Sequence, residues 1–241
     1  MKITDFKVLT FDVIGTLIDF ETGILQSVRR LGGNEAASAS DDEIFEPYKR
    51  GRDRFYGRSS VAMKDVYRHV GSEMGLRNDE ATADAFQLAV LRWPAFSDSV
   101  EALKRLRRRF RLVAMTNGDR TAFSAYAETL GNPFHDSVTC DDTGCAKPNP
   151  AFFAFNLGRQ SASGYRQPDI LHVAQSQHHD IGIAAELGYR TCWIERRQGQ
   201  KGFGGTPEPK KLTKPDFHFS SLQQLADAVD AELGARAAAG Q

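Results

Sequence analysis

The hydrophobic pattern of the chain alternates between short apolar runs and longer segments with helical spacing. The first run, 8–11, is rich in strand formers and ends at Asp12, and similar runs occur at 111–115, 170–174 and 191–194. Amphipathic segments separate these runs along most of the chain. Strands and helices in this order indicate parallel βαβ units. The pattern therefore predicts an α/β protein with a doubly wound parallel sheet.

Weaker sequence patterns predict the remaining strands, helices and loops outside the helical block. Short strands are predicted at 137–140 and 217–219, and helices at 99–110, 120–130, 150–157, 180–187 and 221–233. Gly188 stands where a helical C-cap is needed. Segment 198–215 is rich in Gly and Pro and is predicted to be a mobile loop, and residues 234–241 are predicted to fray.

A block of helical pattern lies between the first two predicted strands. Helices are expected at 22–31, 41–57, 63–75 and 79–91, and Trp93-Pro94 ends the block. We therefore predict a core domain made of 1–17 and 95–241, with a helical cap domain, 18–94, inserted into it. An insertion directly after the first strand lies above the carboxyl end of the sheet. A cap at this position can exclude water and close over a small ligand.

Composition narrows the classes of partner. The chain has 241 residues, 41% of them hydrophobic and 26% charged, and its formal net charge is zero. Neutrality argues against nucleic acid or a membrane surface as partner. No secretory signal is evident and no apolar run approaches the roughly 20 residues that span a bilayer. Three cysteines without metal spacing suit a reducing compartment, so a cytoplasmic protein is expected.

Polar residues that could take part in catalysis follow the predicted strands. Asp12 ends the first strand and is followed by Gly15 and Thr16. Strand ends of an open α/β sheet meet at one edge, where such folds place their chemistry. Three later segments reach the same edge in this arrangement: Thr116-Asn117-Gly118, Lys147-Pro148 and Gln175 to Asp180.

This order of motifs resembles the haloacid dehalogenase superfamily over nearly the whole chain, including the position of the cap. The resemblance implies a Rossmann-like core and a nucleophile at Asp12. The superfamily's phosphatases carry a second Asp two residues after the first, but this chain has Ile14 there. They also carry a Gly-Asp pair that helps to hold Mg²⁺, where this chain has Ala174-Gln175. The pattern therefore argues against a phosphatase.

The metal-independent 2-haloacid dehalogenase branch, type II, is the better match. This chain differs from that branch at Ile14 and Phe153, where Tyr is common, and at 175–180, where a Ser-Ser-Asn run is typical. The resemblance implies an (S)-2-haloacid dehalogenase. Asp12 attacks the α-carbon of a small carboxylic acid and forms an aspartyl ester, and water then releases a 2-hydroxy acid of inverted configuration. No metal and no cofactor are expected.

The resemblance also implies roles for further residues. Lys147 would keep Asp12 ionised and balance the substrate's charge, and Asp180 would hold Lys147 or orient the water, although it could simply cap a helix. The Thr116 hydroxyl and the Val13 and Ile14 N–H groups would bind the substrate carboxylate, while Asn117 would donate to a leaving halide. Gln175 and Ser176 are further substrate-binding candidates, and a second tier comprises Thr16, His179, Tyr48 and Arg50.

Several alternatives stay open from the sequence. The branch uses a cap Arg for the leaving group, and Arg50, Arg52 and Arg54 all lie in the corresponding region. A related hydrolase that opens a strained ring of a small imino acid, such as azetidine-2-carboxylate, is one alternative function. An atypical phosphatase and a non-catalytic binding relative are two others. Relatives are often homodimers, so the resemblance makes a homodimer an expectation.

Overall fold

A computed structural model describes residues 1–55 and 57–240. Tyr56, inside the predicted helix 41–57, and Gln241, inside the predicted frayed end, lie outside the described residues. The core is one six-stranded sheet in the order β3-β2-β1-β4-β5-β6, with every neighbouring pair parallel. Its strands are β1 (Val8–Phe11), β2 (Arg111–Met115), β3 (Asp136–Val138), β4 (Ile170–Ala174), β5 (Arg190–Ile194) and β6 (Phe217–Phe219). The predicted doubly wound α/β fold is confirmed.

The central strands are mostly apolar because helices cover both faces of the sheet. All residues of β1 and β4 are buried, and these two strands pair in register from Val8 with Ile170 to Phe11 with Val173. Parallel sheets buried on both faces have this signature. The parallel register brings the carboxyl ends of β1, β2 and β4 to one edge, where Asp12 follows β1 directly.

Within the described residues, five helices lie between β1 and Pro94. They are α1 (Phe20–Leu31), α2 (Asn34–Ser38), α3 (Asp41–Arg54), α4 (Ser59–Met74) and α5 (Glu80–Val90). Side-chain caps begin three of them: Asp19 at α1, Ser40 in a capping box with Glu43 at α3, and Asp79 at α5. No periodic pattern in the sequence predicts α2, since five residues with only Ala36 buried are too short to show a period.

The chain leaves and re-enters the core at one point. Ile18 bridges Ala95 in antiparallel fashion, and the Asp19 N–H donates to the Pro94 carbonyl over 2.8 Å. The Phe96 N–H donates to the Leu17 carbonyl over 3.0 Å. Two adjoining crossings of this kind support the boundaries 17/18 and 94/95, which we retain as a proposal for the division into core and cap.

The remaining helices flank the sheet. They are α6 (Ser99–Arg107), α7 (Arg120–Thr129), α8 (Cys140–Thr143), α9 (Pro150–Ala162), α10 (Gly182–Glu186) and α11 (Leu222–Ala238). Two predictions need correction. The strand predicted at 137–140 ends at Val138, because Cys140 begins α8. Most of the segment expected to fray, 234–241, is helical, because Arg236 pairs with Asp5, and Glu232 accepts the N–H groups of Ile3 and Thr4.

The predicted loop 198–215 contacts both halves of the molecule. The Gly205 N–H donates to Glu21 Oε1 of α1 over 2.8 Å, and Arg197 pairs with the same carboxylate. Further on, Thr213 exchanges two hydrogen bonds with Gln177 of the core. The loop therefore lies across the opening between the inserted helices and the sheet edge. None of the helices in the described ranges is long and apolar enough to cross a membrane.

Candidate active site

Asp12 lies at the carboxyl edge of the sheet and is almost fully buried. Its N–H donates to the Val173 carbonyl of β4, which continues the β1 ladder by one residue. Gly15 then turns the chain with φ of +94°, a conformation that side chains rarely adopt. The turn lets the Thr16 hydroxyl donate to Asp12 Oδ2 over 2.6 Å, while the Gln175 N–H donates to the same hydroxyl. Thr16 thus holds one carboxylate oxygen in place.

Lys147 supplies the positive charge of the site. Its Nζ donates to Asp12 Oδ1 over 2.9 Å, to Asp180 Oδ1 over 2.6 Å and to the Met115 carbonyl over 2.7 Å. These are all three protons of an ammonium group. The side chain is inaccessible to solvent, so the ammonium stays buried only because each proton has an acceptor.

Asp180 completes a buried triad of charges with Asp12 and Lys147. Its Oδ1 also contacts His172 Nε2 over 3.0 Å, and the other ring nitrogen of His172 contacts the Thr10 hydroxyl over 2.8 Å. Asp180 is not a helix cap as one interpretation of the sequence had it. It lies inside a π-helical turn, Gln177–Ile181, whose cap is Ser176. Its Oδ2 is buried without a hydrogen-bond partner in the described part of the chain.

The two carboxyl groups of the triad differ in the direction of their pKa shifts. Burial works to raise the pKa of Asp180, but the Lys147 charge and the His172 hydrogen bond outweigh it and lower that pKa to about 2. For Asp12, burial dominates and raises the pKa, with the attraction of Lys147 opposing it and the repulsion of Asp180 adding to it. The pKa of Lys147 is raised, since its two carboxylate partners outweigh burial. Lys147 therefore stays charged, and Asp180 is the more acidic of the two partners.

The predicted substrate-binding residues surround Asp12 at the ends of β1 and β2. The N–H groups of Val13 and Ile14 have no acceptor within residues 1–55 and 57–240. The Asn117 side chain is joined to the Lys147 backbone by two hydrogen bonds, which use one of its amide hydrogens. The Thr116 hydroxyl is fully buried and accepts the Gly118 N–H over 3.0 Å. Thr116 is thus set back from the cavity that Ile14 and Asn117 line.

Three other predicted residues follow β4. The Gln175 carbonyl accepts the Trp193 indole N–H over 2.8 Å, and the Gln175 side chain lines the cavity. Ser176 accepts the His179 N–H at Oγ, and its hydroxyl also lies 3.2 Å from His179 Nδ1. Burial lowers the pKa of His179 to about 4, against the pull of the Asp180 carboxylate. His179 is therefore neutral around pH 7. It is one of the predicted second-tier residues, and it lines the cavity.

A cavity of about 690 Å³ lies between the sheet edge and the inserted helices. Tyr48 and Arg50, both predicted, line it from α3. Arg50 is paired with Glu73 of α4, whereas Arg52 lines the cavity without a carboxylate within 4 Å among the described residues. Burial raises the pKa of Tyr48, and the Arg52 charge opposes that rise. Of the three arginines considered from the sequence, Arg54 alone does not line the cavity.

Several residues of this site have no recognisable signal in the sequence. His172 lies in a predicted strand, and no local pattern shows that its ring reaches Asp180. Residues of the 198–215 loop and of the segment from α8 to Lys147 also line the cavity, because both segments return to the sheet edge. These missed lining residues are Cys140, Asp141, Gly144, Cys145, Ala146, Gly205, Thr206 and Pro207.

The site holds no evident set of metal ligands. No group of three or more His, Cys, Asp or Glu residues is placed to hold a metal ion within the described ranges. The position two residues after the nucleophile candidate is Ile14, and Asp180 directs Oδ1 at Lys147 and His172. Asp180, the second carboxylate of the triad, is thus committed to an ammonium ion and an imidazole.

These features define an α/β protein whose buried Asp–Lys–Asp triad faces a covered cavity. The model of the haloacid dehalogenase-like hydrolase family matches residues 6–166, and the chain belongs to that family. Its relatives confirm the predicted 2-haloacid dehalogenase-like branch. The chain is 25% identical over 234 residues to an (S)-2-haloacid dehalogenase of Pseudomonas sp. (strain YL). The match covers 95% of this chain and 96% of the relative.

One further relative and one solved structure are also similar to this chain. The chain is 29% identical over 144 residues to haloacetate dehalogenase H-2 of Moraxella sp. (strain B), covering 58% of this chain and 62% of that protein. The structure of L-2-haloacid dehalogenase from Xanthobacter autotrophicus with chloropropionic acid covalently bound is similar, with a TM-score of 0.71 at 19% identity. That match covers 93% of this chain and 98% of the other, and it shows the same fold.

Proposed function

We propose that this protein is a metal-independent hydrolase that displaces a leaving group from the α-carbon of a small carboxylic acid, and that it is an (S)-2-haloacid dehalogenase. The carrying observation is the buried Asp12 carboxylate, held by Lys147 and Thr16, with Ile14 where a phosphatase needs a second acid. The similarity to an (S)-2-haloacid dehalogenase along nearly the whole chain supports the same reaction.

The first step is a substitution at the α-carbon. One Asp12 oxygen forms a C–O bond while the bond between carbon and halogen breaks, and the halide leaves with the bonding electron pair. The hydrogen bonds from Lys147 and Thr16 fix the carboxylate before the substrate arrives, so attack requires little reorientation. The product of this step is an aspartyl ester of the 2-hydroxy acid and a free halide ion.

The second step is hydrolysis of that ester. Water attacks the Asp12 carbonyl carbon, the acyl C–O bond breaks, and Asp12 is regenerated together with the 2-hydroxy acid. Asp180 Oδ2 lies in the same triad and has no partner in the described part of the chain, so we assign it to orienting the water. Lys147 remains charged beside the oxygen that becomes negative during this attack, which favours the tetrahedral intermediate.

Anion binding completes the proposed mechanism. The Val13 and Ile14 N–H groups lack acceptors among the described residues, and we assign them to the substrate carboxylate. Arg52 lines the cavity from α3 without a counter-ion among those residues, and we assign it to the departing halide, with Asn117 as a second donor. We regard Thr16 as the residue that holds the nucleophile.

The test is halide release from chloroacetate, fluoroacetate and both enantiomers of 2-chloropropionate, with EDTA present. The wild type should release halide, with the S enantiomer preferred, and Asp12→Asn should release none above background. Circular dichroism of the variant controls for folding. If the folded wild type releases no halide from any of these acids, the haloacid assignment is wrong, and strained-ring carboxylates and then phosphate esters with Mg²⁺ become the substrates to examine.

A further inference from the structure

The cavity above Asp12 is much larger than a haloacetate. Its volume of about 690 Å³ lies within the range of about 300–1,000 Å³ that is usual for pockets that bury drug-sized ligands. A two- or three-carbon acid anchored at Asp12 fills only a small part of this space. The remainder is available to a substituent on the α-carbon.

Large apolar side chains form much of the wall around this remaining space. Phe20, Tyr48 and Trp93 line it together with Met63, and each is at most 8% exposed. The ring of Trp93 is held on several sides. It lies 6.3 Å from Phe20 and stacks on Tyr126 at 6.4 Å, and the absence of a side chain at Gly23 leaves room for it on α1. Apart from the Tyr48 hydroxyl and Trp93 Nε1, which has no hydrogen-bond partner in the described part of the chain, these are preformed apolar surfaces that suit flat or branched hydrocarbon groups.

Charged residues at the mouth are largely neutralised by one another. Lys49 pairs with Glu46, Arg50 pairs with Glu73, and Arg58 pairs with Asp141. Arg52 and Asp53 line the cavity outside these pairs, and Arg52 is already assigned to the departing halide. The paired residues offer no concentrated charge to a second anionic or cationic group on the substrate. An uncharged substituent therefore fits the cavity best.

We propose that the preferred substrate is a 2-substituted carboxylic acid whose α-substituent is bulky and apolar, with an aromatic ring fitting best. The inference rests on the proposed function for the reaction itself. It adds that the substituent occupies the space between α3, α4 and Trp93, and that burial of its hydrocarbon surface contributes to transition-state binding.

Halide release from the S enantiomers of 2-chloropropionate, 2-chlorohexanoate and 2-chloro-3-phenylpropionate tests the proposal in the wild type. We expect kcat/KM to rise along this series, by at least about tenfold from the first acid to the last. Release from 2-chloropropionate with equal or lower kcat/KM for the phenyl acid overturns the inference and leaves the proposed function intact.

A filled cavity provides the second measurement. Cys145→Phe adds a ring to the lining, and Val61→Phe, at an exposed position outside the cavity, is the matched control. The first variant should lose at least about tenfold in kcat/KM for the phenyl acid and much less for 2-chloropropionate, while the control should change neither. Equal losses for both acids in a folded Cys145→Phe protein contradict the proposal.

Binding separates the failure of this inference from failure of the chemistry. Calorimetric titration of the wild type with 3-phenylpropionate and with propionate, neither of which carries a leaving group, measures the size preference alone. We expect the phenyl acid to bind at least about tenfold more tightly. If no haloacid is hydrolysed, this difference still supports a large apolar ligand, and equal affinities overturn it.

Discussion

Asn117 and Lys147 are joined by two hydrogen bonds that close a ring between a side chain and a backbone. Asn117 Nδ2 donates to the Lys147 carbonyl over 2.9 Å, and the Lys147 N–H donates to Asn117 Oδ1 over 2.7 Å. Asn117 follows β2, and Lys147 lies in a connection without regular structure. The pair therefore fixes the backbone position from which the Lys147 side chain enters the site. From that position the ammonium group reaches the carboxylates of Asp12 and Asp180.

Loss of this ring should impair catalysis more than folding. In Asn117→Ala we expect kcat to fall by about tenfold to hundredfold, because a small displacement of a catalytic group is costly. Asn149→Ala is the matched control, since Asn149 caps α9 two residues after Lys147. The control should lose about 1 kcal/mol of the free energy of unfolding and keep its kcat. Steady-state kinetics and urea denaturation of both variants measure the two effects, and equal kcat in all three proteins would contradict the positioning role.

The acid limb of the pH profile should report Asp12. Burial and the repulsion of Asp180 raise the pKa of Asp12 above its ordinary value, and the nucleophile must be ionised to attack. Activity should therefore rise with pH through a pKa above 3.8 and be lost below it. Because the pKa of Lys147 is raised, no decline from loss of its charge is expected below pH 10.5. A profile of kcat/KM at constant ionic strength measures both limbs, and full activity at pH 4 would contradict this account.

His172 should contribute to stability through its contact with Asp180. In His172→Leu, Asp180 Oδ1 keeps only Lys147, and Oδ2 already lacks a protein partner among the described residues. An under-solvated buried carboxylate should lower the free energy of unfolding by about 1–3 kcal/mol at pH 7. It should also raise the pKa of Asp180 from about 2, because the hydrogen bond that lowers it is gone.

Urea denaturation at pH 7 and pH 5 measures the effect of His172→Leu. Thr10→Val is the matched control: it keeps the shape of its side chain and removes only the hydroxyl at His172 Nδ1. It should cost less than the histidine variant, since the charged partner is retained. A His172→Leu protein as stable as the wild type at both pH values would show that the ring adds nothing to the triad.

Much of this site could be predicted because its residues follow the carboxyl ends of strands. Asp12, Asn117 and Asp180 follow β1, β2 and β4, and a parallel sheet brings such positions together whatever the intervening chain does. Lys147 was predicted by the resemblance, and only the structure shows how it reaches the site. Its position depends on Asn117, and sequence spacing does not record a contact between residues 30 positions apart.

Other parts depend on contacts that leave no periodic trace. His172 lies in β4, whose residues are all buried. In the sequence it is only a polar residue within an apolar run, and nothing there shows that it contacts Asp180. The loop from residue 198 to 215 has the composition of a loop, and nothing local shows that it reaches Glu21 and Gln177. The choice among the arginines of α3 likewise requires knowing which of them meets Glu73.

Arg52 should be the arginine of α3 on which turnover depends. It lines the cavity without a carboxylate partner in the described part of the chain, and its charge acts on Tyr48 and His179 there. A cation that receives a departing halide stabilises charge that develops only during the reaction. In Arg52→Gln we therefore expect kcat/KM for 2-chloropropionate to fall by about hundredfold or more.

Two variants serve as comparisons for Arg52→Gln. Arg54→Gln removes the same charge from the same helix at an exposed position outside the cavity, and its kcat/KM should stay within about twofold of the wild type. Arg52→Lys keeps the charge but not the fork of donors, and should recover part of the lost activity. Single-turnover measurement of halide release separates the first step from ester hydrolysis. If Arg52→Gln slows only the second step, or if Arg54→Gln is equally impaired, the halide does not leave towards Arg52.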